Sequence, residues 1–115
     1  MAKECVFCNI VAGKVPASIL YQDDRVIALR DINPQAPTHL LVIPKEHIPS
    51  LVELGAGQRE IMAHLISVAK ELAKREGVAE KGYRLVVNCG REGGQEVPHL
   101  HLHLLGGRQL SGIMG

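Results

Sequence analysis

Near its C-terminus the chain reads Pro98-His99-Leu100-His101-Leu102-His103-Leu104-Leu105. Strict alternation predicts a half-buried β-strand over these residues, with His99, His101 and His103 on one face and the leucines turned inward on the other. Such a row has three readings. It can be a His-rich solvent face, or a set of three ligands that leaves a metal one open coordination position. It can also do acid–base and nucleophilic work on a phosphate, where neutral imidazole attacks and a proton-bearing imidazole holds oxygen. Two imidazolium charges about 7 Å apart repel by roughly 2 kcal/mol at an effective dielectric of about 20, so the row is not fully protonated at neutral pH. A nucleophile and an acid can therefore share one strand.

Other residues of suitable chemistry lie upstream. Cys5-x-x-Cys8 reads as a redox pair or as half of a zinc site. A redox pair usually follows a strand, for which little chain precedes it, and a zinc site needs two more ligands from a His-rich chain. The loop Gly90-Arg91-Glu92-Gly93-Gly94-Gln95-Glu96 can be a hairpin connection needing positive φ. It can also be a row of exposed backbone N–H groups that cradles a phosphate, the reading favoured by the histidines downstream. Cys89 reads as a small buried strand residue, and His64 as a surface or packing residue at the margin of a helix.

The elements that must position these groups are legible in turn. Cys5 to Gly13 reads as a short helix or turn closed by glycine. Ser18–Gln22 and Arg25–Arg30 read as a hairpin around Asp23-Asp24, and His39–Pro44, nearly all apolar, as a central strand. Ser50-Leu51-Val52-Glu53 has capping-box spacing for a short turn. From Gln58 to Glu76, Ile61, Leu65, Val68, Ala69 and Leu72 recur at helical spacing, with Met62 and Ile66 widening the stripe and Gly77 ending it. Gly82–Cys89 is a fourth strand, and the His stretch a fifth. Too few helices for crossover connections predict an α+β domain: an antiparallel sheet with its helices on one side.

Composition bounds the rest. The 115 residues read as one domain, 1–115, with a core of Val, Ile, Leu and Ala, because aromatic content is only 3%. No aromatic platform for nucleic-acid bases is available, and 13 basic against 12 acidic residues give no pull toward a polyanion. Nucleic acid and membrane are not expected partners. Met1-Ala2-Lys3-Glu4-Cys5 lacks the apolar stretch of a secretion signal, and three cysteines read as reduced thiols, which points to a soluble, cytoplasmic protein.

The stretch from His99 to Leu105 matches His-φ-His-φ-His-φ-φ, with φ apolar. With it go Leu29 to His39, Val86-Val87-Asn88, Gly93-Gly94-Gln95 and Gly106-Gly107-Arg108. Over nearly its whole length the chain resembles the histidine triad family, and within it the Hint branch. The resemblance implies a HIT-like fold: a five-stranded antiparallel sheet, one long helix, a short N-terminal helix, and a sheet extended by homodimerisation. It implies a purine nucleoside phosphoramidase acting on AMP or GMP derivatives, with no cofactor for catalysis. The alternatives are a dinucleoside polyphosphate hydrolase and a nucleotide-binding scaffold with incidental catalysis.

The resemblance also assigns roles. His101 attacks the α-phosphorus, while His103, Asn88 and the N–H groups after Gly94, at Gln95 and Glu96, hold its oxygens. Asp31 receives the ribose hydroxyls, Ile32 covers the base, and His39 supports the triad from the next strand. Cys5, Cys8, His47 and His99 form a structural zinc site, so that His99 positions the catalytic strand. Relatives commonly have Ser or Thr where this chain has Glu96, so only the backbone N–H carries over there.

Overall fold

A computed structural model describes residues 5–115; the first four, read above for a secretion signal, lie outside the described residues. Strands β1 (Ile19–Gln22) and β2 (Val26–Arg30) form the expected hairpin. Its turn is closed by Asp23, whose Oδ1 accepts from the N–H groups of Arg25 and Val26 at 2.8 and 2.9 Å, the local bonding that makes Asp a turn residue. Strand β3 (Thr38–Pro44), buried throughout, is central, and β4 (Tyr83–Val86) and β5 (Leu102–Gly106) complete the sheet. The order is β1-β2-β3-β5-β4, every neighbour antiparallel. Helix α1 spans Val6–Val11 and helix α2 spans Arg59–Arg75, the latter within a residue of each end of the stripe read from sequence.

Alternation along the strands sorts side chains onto two faces, and both are covered. Val26, Ala28, Leu40, Val42, Leu102 and Leu104 pack against Ile61, Leu65, Val68, Ala69 and Leu72 of α2. On the opposite face Ile27, Leu29, Leu41 and Ile43 pack against Phe7 and Ile10 of α1. The expectation of helices on one side is thus corrected. With β2 and β3 apolar at every other position on both faces, a second cover is needed, and the N-terminal segment supplies it. Ile66, read as part of the helix stripe, is 47% exposed and faces away from the core.

The fourth and fifth strands are shorter than read. β5 begins at Leu102, not Pro98, because β3 ends in Pro44, which has no N–H for the ladder. The preceding backbone bonds elsewhere: Leu100 N–H donates to the Ile48 carbonyl at 2.7 Å, and His99 N–H to Val97 at 2.8 Å. β4 stops at Val86, opposite His103, and the chain then leaves the sheet for the glycine loop. The three histidines therefore do not look into one space. His99 joins Cys5, Cys8 and His47, while His101 and His103 stay together.

Candidate active site

His103 is the second residue of β5, paired with Leu41 of β3 and Val86 of β4, and His39 is the second residue of β3. His101 precedes β5 and is buried. Ring centroids lie 5.0 Å apart for His101 and His103 and 5.2 Å apart for His39 and His103. Phe7 of α1 meets the His101 ring edge-on at 5.2 Å and the His99 ring at 5.7 Å. Sequence reading missed this residue; being the chain's only Phe, between the two cysteines, is the signal that singles it out.

Backbone groups set where each ring carries its proton. His101 Nδ1 lies 2.7 Å from the His99 carbonyl, which can only accept, so the proton is on Nδ1 and the lone pair on Nε2. Gln35 N–H donates to His39 Nδ1 at 3.0 Å, so His39 is protonated at Nε2. That N–H faces His103 Nδ1 at 2.9 Å and Asp31 Oδ2 at 3.3 Å. His103 Nδ1 then accepts, which leaves its proton on Nε2. The two rings thus offer different atoms: the lone pair of a neutral His101 is on Nε2, and the N–H of His103 is on Nε2.

Burial favours the neutral form of His103 and His39. Burial, followed by the neighbouring His101 and His39, pulls His103 down to about 4 against the opposing pull of Asp31. Burial likewise lowers His39, with Asp31 partly offsetting it. Asp31 Oδ1 also accepts from Asn33 N–H at 2.9 Å, which holds the carboxylate at the start of the loop beside the fully exposed Ile32. Asp31, His39 and His103 place three donor atoms within 4.8 Å of one another. A cation there would require His39 as imidazolate, because its Nδ1 lone pair is spent on Gln35; the trio is a hydrogen-bonded relay.

A second cluster brings Cys5 and Cys8 to His47 and His99. Cys5 Sγ to His99 Nδ1, Cys8 Sγ to His47 Nδ1 and His47 Nδ1 to His99 Nδ1 are each 3.2 Å, and Cys8 Sγ to His99 Nδ1 is 3.6 Å. A tetrahedral zinc with bonds of about 2.0–2.3 Å has ligand edges of about 3.3–3.8 Å, close to these four separations, and all four atoms lie within 4.8 Å of one another. His99 Nε2–H donates to the Pro44 carbonyl at 2.8 Å, which leaves Nδ1 as a lone pair aimed into the cluster. Burial, followed by Cys5, pushes the Cys8 thiol up to about 11, so loading a thiolate-bound cation releases protons. These residues fit a metal.

The glycine loop is pinned from inside. Gln95 Oε1 accepts from Gly90 N–H at 2.9 Å, and its Nε2 donates to the carbonyls of Pro49 and Val97 at 2.7 and 3.0 Å. Gln95 N–H also donates to the Gly90 carbonyl at 3.0 Å. Its side chain therefore shapes the loop. Asn88 Nδ2 donates to the Gly93 carbonyl at 2.8 Å, Gly94 turns at φ +80°, and Glu96 is exposed beyond it. His64, as read, is no part of this site: its Nε2 sits 2.7 Å from Asp23 Oδ2, tying α2 to the β1–β2 turn. A cavity of about 1120 Å³ between the end of α2, β4 and the residues after β5 contains none of the histidines.

The HIT domain family model matches residues 12–110. The chain is 49% identical over 114 residues to the purine nucleoside phosphoramidase of Escherichia coli, covering 99% of this chain and 96% of that protein. Among solved structures, a HIT family hydrolase from Legionella pneumophila superposes with a TM-score of 0.92 at 51% identity, over 94% of this chain and 96% of the other. A zinc-bound histidine triad family protein from Mycobacterium smegmatis gives 0.80 at 32% identity, over 94% and 78%. A family model that spans most of the chain, near-complete coverage at about half identity and a shared fold lead to one conclusion: the chain belongs to the HIT domain family.

Proposed function

We propose that the protein hydrolyses the P–N bond of purine nucleoside 5′-phosphoramidates through a nucleotidyl-histidine on His101. The observation that carries this reading is the pair of opposed tautomers on rings 5.0 Å apart: the His101 lone pair, fixed by the His99 carbonyl, and the His103 N–H, fixed through His39 by the Gln35 N–H. His101 Nε2 attacks the α-phosphorus in line, a new P–N bond forms, and the bond to the amine breaks as its nitrogen takes a proton from solvent, which the attacking water of the next step gives back. Water then attacks phosphorus, the bond to His101 breaks, and a nucleoside monophosphate leaves with His101 neutral again. His103 Nε2–H, Asn88 and the Glu96 N–H hold the non-bridging oxygens as charge builds. Gln95 N–H is engaged within the loop, which moves the backbone donor after Gly94 to Glu96.

Asp31 receives the ribose hydroxyls through the oxygen that faces His39, and Ile32, 97% exposed, covers the base together with substrate. Cys5, Cys8, His47 and His99 hold a structural zinc, which when bound cross-links the N-terminal segment to the chain leading into β5; no step of the reaction runs through it. The edge strand β4, half-buried along its length, extends the sheet to a second copy. Free cysteines agree with a cytoplasmic setting, and no described helix is long and apolar enough to cross a membrane.

The test compares turnover of adenosine 5′-phosphoramidate with that of a diadenosine polyphosphate. The wild type favours the phosphoramidate, and His101→Asn abolishes turnover while AMP binding persists. Preference for the dinucleotide assigns the protein to polyphosphate hydrolysis, and full turnover by His101→Asn removes the mechanism.

A further inference from the structure

We infer that Arg108 is a positioning residue for the histidine relay, acting through the peptide of Gln35; the inference rests on the phosphoramidase reading above. The Arg108 guanidinium donates from Nη2 to the Gln35 carbonyl at 3.0 Å and from Nη1 to the Gln109 carbonyl at 3.1 Å. Residue 35 is thus gripped at its carbonyl while its N–H donates to His39 Nδ1 at 3.0 Å. Gln35 Nε2 donates to Asn33 O at 3.1 Å within the same loop. The loop has two prolines and pairs with the β3 backbone only near its start, where Asp31 N–H donates to the His39 carbonyl at 3.0 Å, so at residue 35 its seat on the segment after β5 decides where this N–H points.

Gly107 shows that the seat is tight. It lies at φ +97°, and a Cβ there would stand 2.9 Å from Pro37 Cβ and 3.4 Å from Thr38 N. Closeness of the two backbones brings the Arg108 side chain within reach of residue 35. The chain of consequence is short. If residue 35 drifts, His39 loses the donor to Nδ1 and the ring is free to carry its proton on either nitrogen. A His39 protonated at Nδ1 presents a lone pair to His103 Nδ1, where two acceptors cannot bond. His103 then turns or changes tautomer, and the N–H aimed at the phosphate oxygen is lost. Arg108 touches no reacting atom in this scheme; it keeps a distant proton on the correct nitrogen.

The test is Arg108→Gln, whose shorter amide falls short of the Gln35 carbonyl, beside Arg108→Lys, whose ammonium is long enough to donate to it. Two-bond nitrogen–proton correlation spectra of histidine-labelled protein report which nitrogen of His39 is protonated. Wild type shows His39 protonated at Nε2 alone. Arg108→Gln shows both nitrogens partly protonated, and kcat on the phosphoramidate falls by about threefold to tenfold, the weight of one hydrogen bond, with KM changed less than twofold. Arg108→Lys restores most of both. An unmixed His39 tautomer in Arg108→Gln overturns the inference, as does a loss of kcat without tautomer mixing, which would mark a purely structural role. If the wild type does not turn over phosphoramidates, the functional reading fails by itself, and the His39 spectra still decide whether Arg108 sets the tautomer.

Discussion

Replacing His39 by Leu tests how much of the chemistry depends on proton placement. The side chain is almost fully buried and touches no proposed substrate atom; its contribution runs through a 2.9 Å hydrogen bond to His103 Nδ1. Leu is of similar bulk and supplies no donor, so His103 loses the contact that keeps its proton on Nε2. A buried hydrogen bond left unmade costs about 1–3 kcal/mol, and if the whole cost falls on the transition state, kcat drops by about fivefold to 150-fold. KM changes less than kcat, because the base contact is untouched and Asp31, though it loses its neighbour at 3.3 Å, stays held through Oδ1 by the Asn33 N–H. His39→Gln, whose amide N–H can reach toward the same ring nitrogen, falls between. The change also removes one of the neighbours that lower His103, so that ring takes up its second proton at higher pH. The assay is steady-state turnover of a fluorogenic purine nucleoside phosphoramidate between pH 4 and pH 8 (roughly the range of histidine titration). A His39→Leu protein that keeps more than half the wild-type kcat refutes the relay.

Further outcomes follow from the same geometry. Protein purified without a tag contains zinc, and Cys8→Ser loses it and melts at lower temperature; metal-free wild type with an unchanged melting temperature contradicts the cluster's role. Acid destabilises the fold through His103, whose folded value of about 4 lies below its unfolded value: between about pH 6.5 and that value the unfolded chain binds the extra proton, so stability falls as pH drops through this window and then levels. Urea midpoints across that range check the sign. Gly107→Ala combines a φ of +97° with contact against Pro37 and costs about 1–3 kcal/mol, read as a lowered urea midpoint at unchanged slope.

Much of the fold was legible because local and tertiary preferences agreed. The α2 stripe and its glycine stop, the Asp23 turn and the apolar β3 each need only a few neighbouring residues to specify them. What escaped depends on contacts distant in sequence. β5 starts at Leu102 because Pro44, more than fifty residues away, ends the partner ladder, and α1 covers the second sheet face because alternating β2 and β3 leave it apolar. In the site, the types and spacing of His99, His101 and His103 were plain, while the separation of His99, grouped with the cysteines, from His101 and His103 was not, since period two alone puts all three on one face. The proton positions were beyond reach of pattern: they depend on the carbonyls of His99 and Pro44 and on the N–H of Gln35, groups every residue carries. Gln95 was read for its backbone, and its side chain proves to pin the loop.

The most direct measurement is intact-protein mass spectrometry of enzyme quenched within milliseconds of mixing with excess adenosine 5′-phosphoramidate, followed by peptide mapping under conditions that preserve phosphoramidate bonds. An adenylyl group on His101, formed and lost at rates that account for turnover, is the predicted result. Turnover at full rate with no adduct on that ring, or with the adduct on another residue, would contradict it.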